Sequence, residues 1–240
     1  MKKIFNILSW LMLIAVIVLL MAFSVESQKR VDCENFNVVV ESSENNFVNE
    51  NIINKLLKDK NLHPLGKKKM EISIEGIEKN IANHSCIKEV NVFSDIAGNV
   101  KVEILQRRPI ARVITNNDSF YIDGDGMKMP ISNIFTARTL VITGKINFTE
   151  KGELYSLVKF IDENPFWKAQ IMQIHGEDNG DFTFIPRVGY QQIVFGKAVN
   201  IDEKFSKLKL FYQKGISKKG WNNYSHINLK FKNQLVCTKK

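Results

Sequence analysis

Ile87-Lys88-Glu89-Val90-Asn91-Val92-Phe93 and Val100-Lys101-Val102-Glu103-Ile104-Leu105 decide the fold of the first half of the chain. Apolar and polar residues alternate in both stretches, so each predicts a β-strand with one apolar face. Ala97-Gly98-Asn99 lies between them and supplies residues typical of a turn. The two stretches together therefore predict a β-hairpin.

The residues before the hairpin complete a small domain. Phe36–Glu41 is rich in β-branched residues and predicts a strand, whereas the apolar residues of Val48–Lys60 recur at helical spacing. A shorter helical stripe follows at Ile74–Ile81, with Ser73 as its N-cap. The order β-α-α-β-β predicts one sheet covered by two helices, an α+β unit over residues 36–107.

The pattern changes after Arg107-Arg108-Pro109, where short strands separated by turns become the rule. Helical stripes interrupt these strands twice, at Leu154–Ile161 and Phe205–Tyr212. We expect the first of these helices to stop at Asn164-Pro165, because the residue before a proline is biased away from helix. Residues 108–240 are therefore predicted to form a mostly β domain with two helices, and no long linker separates it from the first unit.

The N-terminus is strongly apolar, with no charged residue in the 22 positions from Ile4 to Val25. As a helix rising ~1.5 Å per residue, this run would reach roughly 33 Å, enough to cross a hydrocarbon core of ~30 Å. We predict an uncleaved transmembrane helix over residues 4–25, with a cleaved signal peptide as the alternative. Lys2 and Lys3 favour a cytoplasmic tail of residues 1–3, which would place the rest of the chain in the periplasm as a single-pass protein of the inner membrane.

Charge and cysteine content narrow the class of protein further. The formal net charge is +9, of which residues 1–30 carry +3 and the remaining 210 residues carry +6. The expected location and the scatter of the basic residues argue against nucleic acid as a partner, whereas an anionic membrane surface would attract such a chain. Cys33, Cys86 and Cys237 are few and far apart, so no disulfide framework is predicted.

No pattern in the sequence supports catalysis. Asp123-Gly124-Asp125-Gly126 resembles a calcium loop, but its glycine comes two residues early and Ile134 occupies the twelfth position, where such a loop needs Glu. A tight turn between strands explains it better. The four histidines are unclustered, and there is no Cys-x-x-Cys pair and no Gly-x-Ser-x-Gly nucleophile elbow. We therefore predict no catalytic, cofactor-binding or metal site, no small-molecule substrate, and a protein that is not an enzyme.

Several segments carry a resemblance when they are taken in order. Ile87–Val92 has the pattern I-K-x-V-x-V, Arg108–Arg112 stands at the change of pattern, and Tyr121–Gly126 has the pattern x-x-D-x-x-G. Ile227–Phe231 is an alternating run near the C-terminus. Together with the single apolar N-terminal span, these features resemble the FtsQ/DivIB family of bacterial cell-division proteins over nearly the whole chain. The first unit is similar to the POTRA domain of that family, and Trp221–Tyr224 is similar to its Bacteroidota-type branch.

The resemblance implies a non-enzymatic scaffold of the division septum that holds FtsB and FtsL and helps to regulate septal peptidoglycan synthesis. It also implies that a segment of FtsB adds as a strand near the C-terminus of the chain. The partner-binding residues that it implies here are Lys230, Phe231, Lys232, Asn233 and Gln234.

For Phe231, the alternation of the sequence suggests a different role from the one that the resemblance implies. It places Phe231 on the same strand face as Ile227 and Leu229, which would make Phe231 a core residue.

A different class of protein also fits the sequence, namely a secreted or anchored POTRA-type binding module that serves envelope assembly or transport.

Overall fold

A computed structural model describes residues 10–21, 23, 30–41, 46–216 and 220–240 of the chain. Its internal contacts divide the chain into two compact units, Met1–Gln106 and Arg107–Lys240. The structure is α+β, with helices and a three-stranded sheet in the first unit and a nine-stranded sheet in the second.

The first unit contains the predicted β-α-α-β-β order. Its elements are β1 (Phe36–Glu41), α1 (Glu50–Asp59), α2 (Ile74–Ala82), β2 (Ile87–Ser94) and β3 (Val100–Gln106), with a short 3-10 turn before α2. The sheet order is β1-β3-β2, in which β3 pairs parallel to β1 and antiparallel to β2. The hairpin of β2 and β3 is therefore confirmed.

Polar caps and apolar stripes explain both helices of this unit. The Asn49 side chain accepts a hydrogen bond from the backbone N–H of Ile52 at 3.0 Å and so caps α1. Ser73 caps α2 in the same way, accepting from the N–H of Gly76 at 3.1 Å, as predicted. The buried residues of the helices are Ile53, Leu57, Ile77 and Ile81. Each such side chain contributes roughly 1.5–3 kcal/mol by leaving water, so the apolar stripes hold the helices on the sheet.

The second unit is built on one large mixed sheet. Its strands are β4 (Pro109–Ile114), β5 (Ser119–Asp123), β6 (Lys128–Pro130), β7 (Leu140–Gly144), β8 (Ile171–Gly176), β9 (Phe182–Pro186), β10 (Gln192–Gly196), β11 (Tyr224–Asn228) and β12 (Val236–Lys239). Their order in the sheet is β12-β11-β10-β9-β8-β7-β4-β5-β6. The C-terminal strand therefore forms one edge of the sheet and β6 forms the other.

The described residues of this unit form three α-helices, namely α3 (Glu153–Glu163), α4 (Pro165–Gln170) and α5 (Ile201–Phe211). The prediction of two helices missed α4. Asn164 ends α3, but its side chain also accepts hydrogen bonds from the first N–H groups of α4, and Pro165 stands in the first turn of that helix. Proline is well suited to this position because its missing N–H would have no intrahelical partner there.

Aromatic side chains fill the core between the helices and the sheet. Trp167 is 2% exposed, and its ring lies 4.8 Å from that of Phe205. Phe184 and Phe195 stack on neighbouring strands at 4.7 Å. These contacts join α4, α5 and the middle strands into a single core, which supports the sheet up to β11, where Ile227 is fully buried.

The predicted transmembrane helix is contradicted. Among the described residues no helix is long and apolar enough to cross a membrane. The predicted tail, residues 1–3, and residues 4–9, 22, 24 and 25 of the predicted helix lie outside the described residues. The single-pass topology and the inner-membrane, periplasmic localisation depended on that helix, and this finding overturns them.

Candidate partner-docking edge

β12 is the exposed edge of the nine-stranded sheet. It pairs antiparallel with β11, with Ile227 opposite Cys237 and Asn228 opposite Val236. Val236 is 42% exposed, whereas Ile227 behind it is fully buried. No further strand pairs with the outer side of β12 within the described ranges. The strand is thus backed by core on one side and open on the other.

The pairing pattern indicates which backbone groups point outward from this edge. The N–H of Lys240 donates to the carbonyl oxygen of Asn223 at 3.2 Å, so Lys240 faces β11. Successive residues of an antiparallel strand turn their N–H and C=O groups to opposite sides. We infer that Thr238 also faces β11, whereas Cys237 turns its N–H and C=O groups, and Lys239 its N–H, away from the sheet. The carbonyl oxygen of Lys239 accepts a hydrogen bond from the Ser225 hydroxyl of β11 at 3.4 Å.

The opposite edge of the sheet is protected from strand addition. β6 has three residues and ends at Pro130, which has no N–H to donate. The ammonium of Lys128 lies 4.4 Å from the centre of the Phe120 ring and forms an ion pair with Asp118 at 2.5 Å. Short length, proline and lysine are the usual means of blunting an edge strand. Of the two edges, β12 is the one better suited to receive another strand.

The five residues implied as partner contacts lie beside this edge rather than on a strand. β11 ends at Asn228, and Lys230, Phe231, Lys232, Asn233 and Gln234 belong to the connection that leads to β12. All five are exposed. Phe231 is 45% exposed, so it is not the core residue that simple alternation suggested, whereas Leu229 is fully buried.

Three interactions fix the start of this connection. The N–H of Leu229 donates to the carbonyl oxygen of Val194 at 2.9 Å, which continues the pairing of β11 with β10. The Lys230 ammonium donates to the Asp181 carboxylate at 2.7 Å, and the Lys207 ammonium donates to the carbonyl oxygen of Phe231 at 2.9 Å. Because its start is anchored, the connection holds the exposed Phe231 side chain next to the edge.

A buried lysine and a glycine shape the sheet beneath the connection. Lys204 is 8% exposed, and its ammonium donates to the carbonyl oxygens of Phe195 at 2.9 Å and Lys197 at 2.7 Å. Burial lowers the pKa of Lys204, and the nearby Lys207 lowers it further. Gly196 has φ +77°, and a Cβ there would lie 2.8 Å from Cγ of Lys230. Glycine therefore allows the Lys230 side chain to cross β10 and reach Asp181.

The Asp181 carboxylate is held in its charged form. The hydrogen bond from Lys230 lowers the pKa of Asp181, and the charges of Lys230 and Lys197 act in the same direction. Asp181 is 7% exposed, and Lys197 lies 3.8 Å from it. This ion pair fixes the path of the chain, so Lys230 is already engaged within the domain.

The Asp123–Gly126 segment forms the turn between β5 and β6. The Asp123 side chain is 1% exposed and accepts hydrogen bonds from the backbone N–H groups of Asp125 at 3.0 Å and Met127 at 2.8 Å. Its other oxygen accepts from Arg107 at 2.7 Å. No cluster of three or more potential metal-ligating side chains occurs in the part of the chain that the structure describes. The geometry is that of a tight turn closed by its own aspartate.

Comparisons with known families agree with this architecture. Residues 31–105 match a POTRA-like domain, and residues 108–238 match the family described as FtsQ/DivIB, C-terminal related. A comparison with individually curated proteins found no match. Both matched families are non-enzymatic scaffold domains, so the chain is a division-related scaffold. Because the second match covers more than half of the sequence, the chain belongs to the FtsQ/DivIB family, and the resemblance drawn from the sequence is confirmed.

The sequence pattern does not predict β12 as a separate strand. Val236–Lys239 is four residues long, too short for alternation to stand out, although Val236 and Thr238 are β-branched. Asn233, which adopts φ +60°, was the available signal for a turn before it. Asparagine is one of the few residues that tolerate this left-handed conformation, so it allows the chain to reverse between β11 and β12.

Proposed function

We propose that this protein is a cell-division scaffold that holds FtsB- and FtsL-type proteins and helps to regulate septal peptidoglycan synthesis. The FtsB-type partner docks by adding a strand to β12. The observation that carries this proposal is the open side of β12, and the strand pairing implies that the N–H groups of Cys237 and Lys239 and the C=O group of Cys237 turn toward that side. An open strand edge supplies a row of backbone hydrogen-bonding groups to a partner strand.

The connection before β12 adds side-chain contacts to this backbone ladder. Phe231 is 45% exposed although its backbone is anchored by Lys207, so its ring is presented to a partner at little cost in conformational freedom. Lys232, Asn233 and Gln234 are exposed beside it. In this proposal the backbone of β12 supplies affinity, and the residues from Phe231 to Gln234 contribute specificity.

Substitution of Lys239 separates backbone docking from side-chain effects. Lys239→Pro removes an outward N–H donor, whereas Lys239→Ala keeps the donor and removes the same charge. We expect Lys239→Pro to weaken capture of an immobilised FtsB-type partner at least tenfold, and Lys239→Ala to weaken it much less. Biolayer interferometry with the full 240-residue chain measures both. Tryptophan fluorescence during urea unfolding checks that each variant still unfolds cooperatively.

Two results would contradict the proposal. Equal capture by Lys239→Pro and Lys239→Ala, with both folded, would mean that β12 is not the docking edge. Depletion of the protein in cells is expected to give filaments that fail to divide. Normal division accompanied by defects in envelope assembly would instead favour a POTRA-type assembly module.

A further inference from the structure

The basic residues of this protein are scattered, but its net positive charge arises in the last part of the sequence. Residues 197–240 contain eleven lysines and two acidic residues, a net charge of +9, which equals the formal net charge of the whole protein. The preceding 196 residues are therefore neutral overall, with 23 basic and 23 acidic residues. This last segment is the one that forms α5, β11 and β12.

Some of these lysines are already engaged within the domain. Lys204 is buried against two carbonyl oxygens, Lys230 pairs with Asp181, and Lys207 lies 3.3 Å from Glu203. Such interactions hold the fold together and leave those ammonium groups less available to a partner.

Other lysines border the open edge without an acidic partner. Lys232 precedes β12 and Lys239 ends it, and both are exposed and have no ion pair within the described ranges. The ammonium of Lys240 lies 5.1 Å from the centre of the Tyr190 ring, which is 80% exposed. The edge is therefore bordered by positive charge at both ends.

Positive charge at an edge strand repels some partners and attracts others. Two copies of β12 paired edge to edge would bring lysines close together, which disfavours self-association. A strand that carries carboxylates would instead meet complementary charge, which speeds encounter and selects the partner. An anionic lipid surface would also attract lysines, but it would not form a strand ladder with the outward backbone groups of β12.

We propose that the strand that adds to β12 is acidic and carries carboxylates at its two ends, where they pair with Lys232 and Lys239. This inference rests on the proposed function, because it requires a strand to add to β12. It defines the partner by its chemistry: an extended peptide with β-branched residues in the middle and Asp or Glu at both ends.

Three synthetic peptides that differ only at their ends test this inference. All share the core Thr-Val-Ile-Val-Thr, and their flanking residues are Glu, Gln or Lys. Fluorescence anisotropy with the full chain, at low and at high salt, gives the affinity of each peptide. We expect the Glu peptide to bind about tenfold more tightly than the Gln peptide at low salt, with the Lys peptide weakest. Salt should reduce these differences because exposed charges are screened.

Charge reversal at the edge supplies the decisive variant. In a chain carrying Lys232→Glu and Lys239→Glu, the preference should invert toward the Lys peptide. A control chain carrying Lys145→Glu and Lys159→Glu undergoes the same change in net charge at exposed positions elsewhere, and it should keep the preference for the Glu peptide.

Each remaining outcome overturns a defined part of the argument. Equal binding of the Glu and Gln peptides would refute the acidic partner and leave strand addition intact. Failure of all three peptides to bind the folded chain would refute strand addition itself. Mixing the chain with vesicles of phosphatidylglycerol and phosphatidylcholine in equal amounts supplies the lipid control. Loss of vesicle binding in the Lys232→Glu, Lys239→Glu chain, without any peptide preference in the parent, would assign these lysines to an anionic lipid surface instead.

Discussion

Replacing Asp123 with alanine tests how the second unit begins. The carboxylate is 1% exposed and accepts three hydrogen bonds, from Arg107 at 2.7 Å and from the N–H groups of Asp125 at 3.0 Å and Met127 at 2.8 Å. Hydrogen bonds to charged groups contribute about 1.5–3 kcal/mol each, but they are not additive when they share one acceptor group. The Arg107 side chain is 27% exposed, so in the variant its guanidinium can form hydrogen bonds with water, which offsets part of the lost stability. We expect Asp123→Ala to lower the free energy of unfolding by about 3 kcal/mol.

A graded pair of variants distinguishes the charge of Asp123 from its role as an acceptor. Asp123→Asn keeps an oxygen for the two N–H groups and loses the charge that faces Arg107, so it should cost about 1–2 kcal/mol. Asp125→Ala changes an exposed neighbour in the same turn and should cost less than about 1 kcal/mol.

Urea unfolding followed by tryptophan fluorescence measures these differences, because Trp167 and Trp221 both lie in the second unit. A drop in melting temperature of about 10 °C should accompany Asp123→Ala, since a unit of this size shifts by about 3 °C per kcal/mol. Equal midpoints for Asp123→Ala and Asp125→Ala would refute the structural role of the carboxylate. A rise in melting temperature on adding calcium, lost in Asp125→Ala, would show that the turn is a metal site after all.

Four further substitutions, at Asp181, Gly144, Gly66 and Trp167, test single positions. Lys230 holds the pKa of Asp181 below its usual value in the folded protein. The ion pair therefore stabilises the folded state fully above the unfolded-state pKa of about 3.9, and this stabilisation is lost as the pH falls through the lower pKa of the folded state. Unfolding midpoints of Asp181→Asn between pH 2 and 6 should therefore vary less than those of the parent, and an equal dependence on pH would contradict this. Gly144→Ala should destabilise by more than about 2 kcal/mol, because φ is +89° and a Cβ would lie 2.2 Å from a carbonyl oxygen of the neighbouring strand. Gly66→Ala should cost about 1 kcal/mol, because only its φ of +77° is unfavourable there, and similar losses at both positions in urea unfolding would refute the steric argument. Trp167→Ala should cost about 3–5 kcal/mol by opening a cavity in the aromatic core, and a loss below 1 kcal/mol would mean that the core repacks around it.

Local pattern was sufficient for the first unit because its elements are long and each apolar face matches one period. In β2 and β3 the buried residues, such as Val92 and Val102, alternate with exposed or half-buried ones. The helical stripe at Ile74–Ala82 begins at the serine cap that the sequence indicated. In such segments local propensity and tertiary burial agree, so a single sequence determines the outcome.

The structure of the second unit differs from the prediction where local sequence signals and contacts between distant residues favour different outcomes. The sequence predicts that a helix ends at Asn164-Pro165, yet Pro165 also begins α4, because the Asn164 side chain caps this second helix. The alternation from Ile227 to Phe231 continues in the sequence after the strand has ended at Asn228. Strand length depends on pairing with residues far away in the chain, and alternation alone carries no information about that pairing.

The position of the candidate site also could not be read from local sequence pattern alone. The resemblance implied residues 230–234, which proved to lie next to an open edge rather than on it. Their backbone is anchored first by core packing of Leu229 and then by the ion pair of Lys230 with Asp181. An edge strand must stay ordered without its partner if it is to act as a template, since a disordered edge would lose binding energy to the cost of ordering. Rigid support behind β12 is combined with Lys232 and Lys239, which are exposed and have no acidic partner among the described residues. This is the arrangement expected of a docking strand, and a frayed C-terminus would lack it.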